Sequence, residues 1–409
     1  MRPAAHAHDC RVGEWRCTRA LDAAAHEAVR REMALHAFKW DTQIGDVATL
    51  APFALVIPAS VGAHLASLAE SLAAELGVAE QALLARPDLW PKLGLPRRIC
   101  RALGGTDPWT PAAARAMRFD FHPTAQGWRI SEVNSDVPGG YTESAHFPRL
   151  MADLAVDARL PGDPLAALTA ALAAHAHRHG RIALLAAPGY TEDQQVAACI
   201  AAALEARGIE TTVARPEQIA WRERKALLGG APVDAIFRFF QGEWMTRLHG
   251  DDWRALFRGG LTPVCNPAAA MLSESKRLPL TRGALGLATP TWDELLPATS
   301  PASRLLTARN HDDVLKPAYG NTGDDIAARA WTKPADFRRS LACALMRPKR
   351  WLAQARFETV ALATPLGRLH PCLGVYVING CAAGIYGRLT AGPLIDFAAI
   401  DTAVLIAHP

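Results

Sequence analysis

Arg118-Phe119-Asp120-Phe121-His122 and, after a short gap, Glu132-Val133-Asn134-Ser135-Asp136 set the frame for the whole chain. Met117 to His122 alternates large apolar with polar residues, the pattern of a strand. Pro123-Thr124-Ala125-Gln126-Gly127 is a turn, and Trp128 to Asn134 predicts a second strand, so that the two pair as a hairpin. Successive strand side chains point to opposite faces, which puts Arg118 and Asp120 together and Glu132, Asn134 and Asp136 together. Where those faces coincide, Asp120, Glu132 and Asn134 converge as three oxygen donors. Such a set suits Mg²⁺, a hard cation that takes carboxylates along with phosphate oxygens. Arg118 beside it suits a transferring phosphoryl or carboxylate group. A solvated hairpin with ordinary surface charges is the alternative reading of the same residues.

Outward from the hairpin, Val137-Pro138-Gly139-Gly140 forms a loop that can approach a ligand closely, because adjacent glycines lack side chains. Glu143 stands where that loop enters a helix, placed either to cap it or to meet an amine. Arg181 to Ala187, a helix from Thr191 to Gly208, and Ile209 to Val213 predict a βαβ-like unit. It has neither a G-x-G-x-x-G fingerprint nor a Walker lysine. Ala235 to Phe240 predicts a further strand, with Gln241-Gly242-Glu243-Trp244 just past its end, a common place for ligand contacts. Ser273 to Lys276 is expected to open a helix running to Leu285. Asp313 to Lys316 predicts a strand that leads into the glycine-bearing loop Pro317 to Gly323, whose backbone N–H groups suit phosphates. Trp351 to Phe357 predicts a strand containing Gln354. Leu373 to Ile378 and Ala382 to Leu389 predict a hairpin about Asn379-Gly380.

Residues 1 to about 110 are expected to be mostly helical, with Ala20 to Leu35 and Ser60 to Leu76 the clearest helices. Leu50 to Ala69 carries no Asp, Glu, Lys or Arg. Pro52 and Pro58 interrupt it, and the spacing of Leu65, Leu68, Leu72 and Leu76 makes it an amphipathic core helix rather than a membrane span. The chain has 409 residues, 50% of them hydrophobic and 21% charged, which fits a globular enzyme of two or three domains. A net charge of +4 gives no basis for nucleic-acid binding. Only seven lysines occur, so a lysine in a polar loop is more informative than usual. The eight cysteines show no C-x-x-C spacing and read as reduced thiols of a cytoplasmic protein. No signal peptide is expected, since the N-terminus lacks an apolar segment.

Taken together, these stretches resemble the synthetase domain of glutathionylspermidine synthase, of the ATP-grasp superfamily. The matching residues are R-F-D-F at 118–121, E-V-N-S-D at 132–136, T-E-S at 142–144, Lys276, V-L-K-P with its glycine loop at 314–323, Gln354, and Gly387-Arg388. Their order, with the E-x-N strand before the nucleotide lysines, is the permuted order of that family. The resemblance implies an α/β (α+β) ATP-grasp fold. It divides the chain into a helical part (1–115), a metal-binding hairpin and loop (116–160), an α/β substrate domain (161–262) and ATP-binding lobes (263–409).

It also implies roles for single residues. Asp120, Glu132 and Asn134 resemble the Mg²⁺ ligands, Lys276 and Lys316 the lysines at the ATP phosphates, and Gly320 to Gly323 the loop over the γ-phosphate. Gln354 to Phe357 would meet the adenine, with Leu394 and Ile395 opposite. Arg118 and Arg388 would stabilise the acyl phosphate and the transferred phosphoryl group, and Asp136, Glu143 or Glu243 would orient the amine. The implied reaction is ATP-dependent amide formation between a carboxylate and an amine, giving ADP and phosphate. Asp120→Ala is expected to abolish it and leave the fold intact. Val137-Pro138-Gly139-Gly140 departs from the small polar residues of the family, which points away from glutathione and spermidine towards another acid and amine. The alternatives are a carboxylate kinase, a ligase with another nucleophile, and a nucleotide-binding protein without turnover. Neither nucleic acid nor membrane is expected as a partner, and an oligomer is compatible with the sequence.

Overall fold

The computed structural model describes residues 10, 12–45, 47–177, 179–307, 312–320, 325–392, 394–395 and 398–408. Of the loop expected over the γ-phosphate, Gly320 is described, and Asn321, Thr322 and Gly323 lie outside the described residues.

The first helix, α1 (Ala23–His36), begins at Asp22, whose carboxylate accepts the Ala25 N–H at 2.8 Å. The uncharged stretch after it divides into a buried strand, β1 (Leu50–Ile57), and a long helix, α2 (Ala59–Leu84). This corrects the helical reading of residues 50–57. Pro58 sits at the helix N-cap and sets its start. Pro52 falls where the ladder register shifts, between the Leu50–Asp401 and Ala54–Ala403 pairs, so its missing N–H interrupts no ladder bond. The predicted hairpin follows as β2 (Ala116–Thr124) and β3 (Gly127–Asn134), and then α3 (Tyr141–Met151).

The βαβ-like unit is present as β4 (Arg181–Ala186), α4 (Thr191–Glu205) and β5 (Glu210–Ala214), followed by β6 (Ala235–Phe239). These strands lie parallel in the order Val264–Cys265, β6, β4, β5. The strands β4 and β6 are buried almost throughout, which explains their apolar runs, interrupted in β6 by the buried Arg238. A short helix, α5 (Ala268–Ser273), then ends where the sequence predicts a helix to begin. The cause is tertiary. Glu274 accepts backbone N–H groups of the hairpin, Ser275 donates to the Leu93 carbonyl at 2.6 Å, and Lys276 N donates to the Ala318 carbonyl at 3.0 Å.

A small antiparallel sheet follows, built on β7 (Asp313–Pro317) with the helix α6 (Pro334–Met346) and the strand β8 (Trp351–Ala355). It has its own core of Leu315, Ala327, Phe337, Ala344 and Ala353. The chain finishes in three long strands, β9 (Gly367–Ile378), β10 (Cys381–Thr390) and β11 (Ile400–Ala407). The main sheet runs Arg16–Cys17, β1, β11, β10, β9, β2, β3. Its β1–β11 pair is parallel, and the β2, β3, β9 and β10 ladders are antiparallel. The first and last thirds of the sequence thus share one sheet, with the hairpin β2–β3 at its edge. Among the described residues, no helix is long and apolar enough to cross a membrane.

Candidate active site

Strand alternation does bring Arg118 and Asn134 directly opposite each other in the β2–β3 ladder. The register then shifts by one: Phe119 pairs with Val133, but Phe121 pairs with Ile130. One extra residue of β3 is accommodated there as a bulge, so Ser131 and Glu132 together oppose Asp120. Burial follows the bulge. Ile130 and Val133 are in the core, whereas Ser131 and Glu132 both stay partly open. As a result Ser131, which alternation alone would send to the other face, reaches His122 at 3.0 Å.

Asp120 is the centre of the charge network and is only 1% exposed. Arg118 Nε donates to its Oδ1 at 2.8 Å and Arg118 Nη2 to its Oδ2 at 3.1 Å. Arg388, from β10 and distant in sequence, donates to Oδ2 at 2.8 Å, and the Asn134 amide donates to the same oxygen at 3.2 Å. Burial would raise the Asp120 carboxyl, but Arg118 and Arg388 outweigh it and hold it down at about 2. Both guanidinium groups also lie over the Tyr386 ring, at 5.3 and 5.4 Å from its centroid. Gly374 is the ladder partner of Asp120, and a Cβ there would stand 2.8 Å from Arg118 Cδ. The ion pair can lie flat on the sheet only because that residue has no side chain.

The two lysines named in the sequence arrive from different elements. Lys276 Nζ lies 3.2 Å from Glu132 and donates to the Gly320 carbonyl at 2.8 Å. Lys316, near the end of β7, donates to the Ser131 carbonyl at 3.2 Å. Burial pushes the Lys316 ammonium down to about 8, despite Glu132 nearby. Burial raises the Glu132 carboxyl, but Lys276 and Lys316 reverse this and leave it lowered. Above Lys316 opens a cleft of ≈ 730 Å³ including its mouth. Its walls are largely apolar, with Val314, Ile326, Trp331, Phe357, Leu394 and Ile395, and Gln354, Arg356 and Arg388 also line it. Gln354 donates to Thr299 Oγ1 at 3.2 Å, and Phe357 lies 5.4 Å from the His122 ring. Burial pushes the His122 imidazole down to about 4, which keeps it neutral.

A second cleft, ≈ 1190 Å³ with its mouth, lies across the hairpin and shares Glu132 and Arg388 with the first. One end carries Arg118 and Asn134, the other Asp41, Glu143, Glu192, Asp193 and Asp401. Within that acidic end is a buried lysine, Lys39, 2.6 Å from Glu143 and 3.1 Å from both Asp41 and Asp401. Gly140 has φ +88°, and a Cβ there would stand 2.9 Å from the Tyr376 hydroxyl and from the Tyr386 ring. The glycine is therefore required by the turn that packs the cleft wall against these tyrosines.

Of the three carboxylates expected to meet an amine, only Glu143 lines the second cleft, where Lys39 already engages it. Asp136 is displaced from that role. Both its oxygens bind the fully buried Arg238, and Oδ2 also accepts the Gly242 N–H at 2.8 Å, which ties β6 to the hairpin. Glu243 lies outside both cleft walls, its carboxyl pushed up by burial to about 7. His122, Ser131, Gly374, Lys39 and Glu274 escaped sequence reasoning. Each joins the site through a partner or a register that no local pattern encodes.

Among the described residues, no group of three or more His, Cys, Asp and Glu side chains gathers as for a metal. The oxygen set is instead two carboxylates, both kept ionised, and the amide of Asn134. Those donors are hard, and they leave coordination positions to phosphate and water, which fits Mg²⁺.

Comparison with known proteins places the fold. A glutathione synthetase-like effector from Globodera pallida superposes with a TM-score of 0.58 at 11% identity, covering 93% of this chain and 97% of that one. A protein from Methylobacillus flagellatus described as a gamma-glutamylcysteine synthetase gives a TM-score of 0.41 at 11% identity, covering 78% and 82%, and carries no weight here. No curated protein matches the sequence. The architecture is thus an α/β fold of the glutathione synthetase-like, ATP-grasp type. The sequence model of the glutathionylspermidine synthase preATP-grasp family matches residues 29–405, and the chain belongs to that family.

Proposed function

We propose that the protein is an ATP-dependent ligase that joins a carboxylate to an amine through an acyl phosphate, releasing ADP and phosphate. The observation that carries this is the meeting of two clefts at Arg388 and Glu132. An apolar slot with a buried lysine lies on one side and a polar chamber with Arg118 on the other. The slot suits a nucleotide base, with Gln354, Phe357, Leu394 and Ile395 around it. Lys276 and Lys316 lie where phosphates would enter, and the lowered affinity of Lys316 for its proton marks an ammonium short of anionic partners. Arg118 and Arg388 would hold the acid's carboxylate and the phosphoryl group as charge develops on its oxygens. Asp120, Glu132 and Asn134 would hold Mg²⁺, which would offset the negative charge of the phosphates. The family name supports the ligase class, and the acid and amine are those that fit the chamber.

The test is product analysis of the purified protein with Mg-ATP and pooled amino acids, small peptides, glutathione and polyamines. ADP and phosphate, together with a new mass equal to acid plus amine minus water, would support the proposal. AMP and pyrophosphate would overturn it. So would an absence of nucleotide turnover combined with no Mg-ATP effect on the melting temperature. ADP without a condensed product would instead indicate a carboxylate kinase.

A further inference from the structure

Glu274 takes no part in the reaction as proposed, yet it lines the polar chamber and the neighbouring crevice that holds the two lysines. It follows α5 directly, and its Oε2 accepts the Ser135 N–H at 2.7 Å and the Asp136 N–H at 2.8 Å. Those bonds fix the carboxylate against the last residues of the E-V-N-S-D stretch. The group then borders the chamber that holds Arg118, Asn134 and Arg388, and also the crevice that holds Lys276, Lys316 and Glu132. Among the described residues, Oε1 has no hydrogen bond and Glu274 has no ion pair, since Lys276 turns instead to Glu132 and Gly320. Holding the loop accounts for one oxygen and leaves the other without a protein hydrogen bond among the described residues, on a side chain that lines the chamber.

Resting on the ligase reading, we propose that Glu274 receives the attacking amine: Oε1 accepts a hydrogen bond from its nitrogen and takes the proton that the nitrogen must shed. An alkylamine arrives as R–NH₃⁺. One proton passes to Glu274, and the freed lone pair forms the C–N bond to the acyl carbon. The C–O bond to phosphate breaks, and its electron pair leaves with the phosphate. The second nitrogen proton goes to that phosphate, and Glu274 returns its own to solvent. Burial, partly offset by Lys276, pushes the Glu274 carboxyl up to about 8, close to the match a base needs at neutral pH. The charged and titratable groups around it, among the described residues, include Lys276, Lys316, Tyr319, Asp136, Glu132, Arg118 and Arg388.

The experiment compares wild type, Glu274→Gln and Glu274→Asp with Mg-ATP and pooled amino acids and small peptides as acids. Each is supplied with either pooled alkylamines or hydroxylamine, which is unprotonated at neutral pH and needs no base. Glu274→Gln is expected to lose amide formation by about 10²-fold or more, mainly in kcat. It should keep hydroxamate formation and the Mg-ATP melting shift, and it should flatten the rise of rate with pH. Should Gln disturb the fold, melting curves will show it, and Glu274→Asp supplies the same comparison with the carboxylate kept but drawn back. Equal loss of amide and hydroxamate in a folded variant, or undiminished amide formation, overturns the proposal. A wild type that forms neither ADP nor hydroxamate overturns the ligase reading itself, so the two failures are distinct.

Discussion

The two clefts on either side of the hairpin β2–β3 share a wall and differ in almost everything else. The slot has apolar flanks, and Lys316, Arg356 and Arg388 are set against Asp120 and Glu132. Among the described residues, the chamber is lined by seven carboxylates, Asp41, Glu132, Glu143, Glu192, Asp193, Glu274 and Asp401, against three cations, Lys39, Arg118 and Arg388. In the slot, burial acts on a lysine and pushes it down. In the chamber, burial acts on carboxyls and pushes Glu143, Asp193 and Glu274 up. Each cleft thus holds an excess of charge that a ligand of opposite sign would relieve: phosphate in one, ammonium in the other. Arg118 and Arg388, pinned by Asp120, mark the place where the two would react.

The comparison breaks most severely at Asp120. Asp120→Asn is expected to reduce ADP formation by at least about 10²–10³-fold. Asp120→Ala is a poorer test than the sequence implies. It leaves Arg118 and Arg388 buried without their common partner, a change expected to cost about 3–5 kcal/mol of stability and to appear in the melting temperature. Glu132→Gln, at a more open side chain, should lose activity without that loss.

Arg388→Lys comes next. It keeps the charge and removes the planar fork, so kcat should fall by roughly 10²-fold while KM for ATP changes less. The reverse pattern would assign Arg388 to nucleotide binding alone.

Lys316→Met sharpens the slot. Loss of a charged contact worth about 1.5–3 kcal/mol should weaken Mg-ATP, read as a reduced melting shift. Without ligand the sign reverses. The folded ammonium loses its proton near pH 8 and the unfolded one at its ordinary, higher value. Below pH 8 both states are charged and the burial penalty is present in full, and it fades as pH rises through that interval. The variant should therefore melt higher than wild type at pH 7, and the gain should shrink towards pH 10.

The smallest effect belongs to the chamber. Burial pushes the Asp193 carboxyl up to about 7 from 3.8. The folded state thus holds a proton that the unfolded chain has released, and stability falls as pH rises between those values. Because the side chain is partly open, Asp193→Asn is expected to gain only about 1 kcal/mol or less at pH 8, and nothing at pH 4, in thermal melts.

The sequence by itself determined the local pieces. Alternation in residues 117–134 put Arg118 with Asp120 and Glu132 with Asn134, and Asn379-Gly380, with φ of +50° and +87°, turned the last hairpin as its residue types require. Strand patterns marked β4, β6 and β7, and the family resemblance named Lys276 and Lys316, which line the crevice beside the hairpin. Tertiary structure decided the rest. The bulge that turns Ser131 inward exists only in register with β2, and the flat seat for the Asp120 ion pair needs Gly374 on β9. Asp136 belongs to Arg238, Glu143 belongs to Lys39, and residues 273–276 leave the helix because the hairpin takes Glu274. Periodicity is a property of neighbouring residues, whereas a charge is satisfied by whatever the fold brings to it, and Asp120 finds Arg388 at a separation of 268 residues.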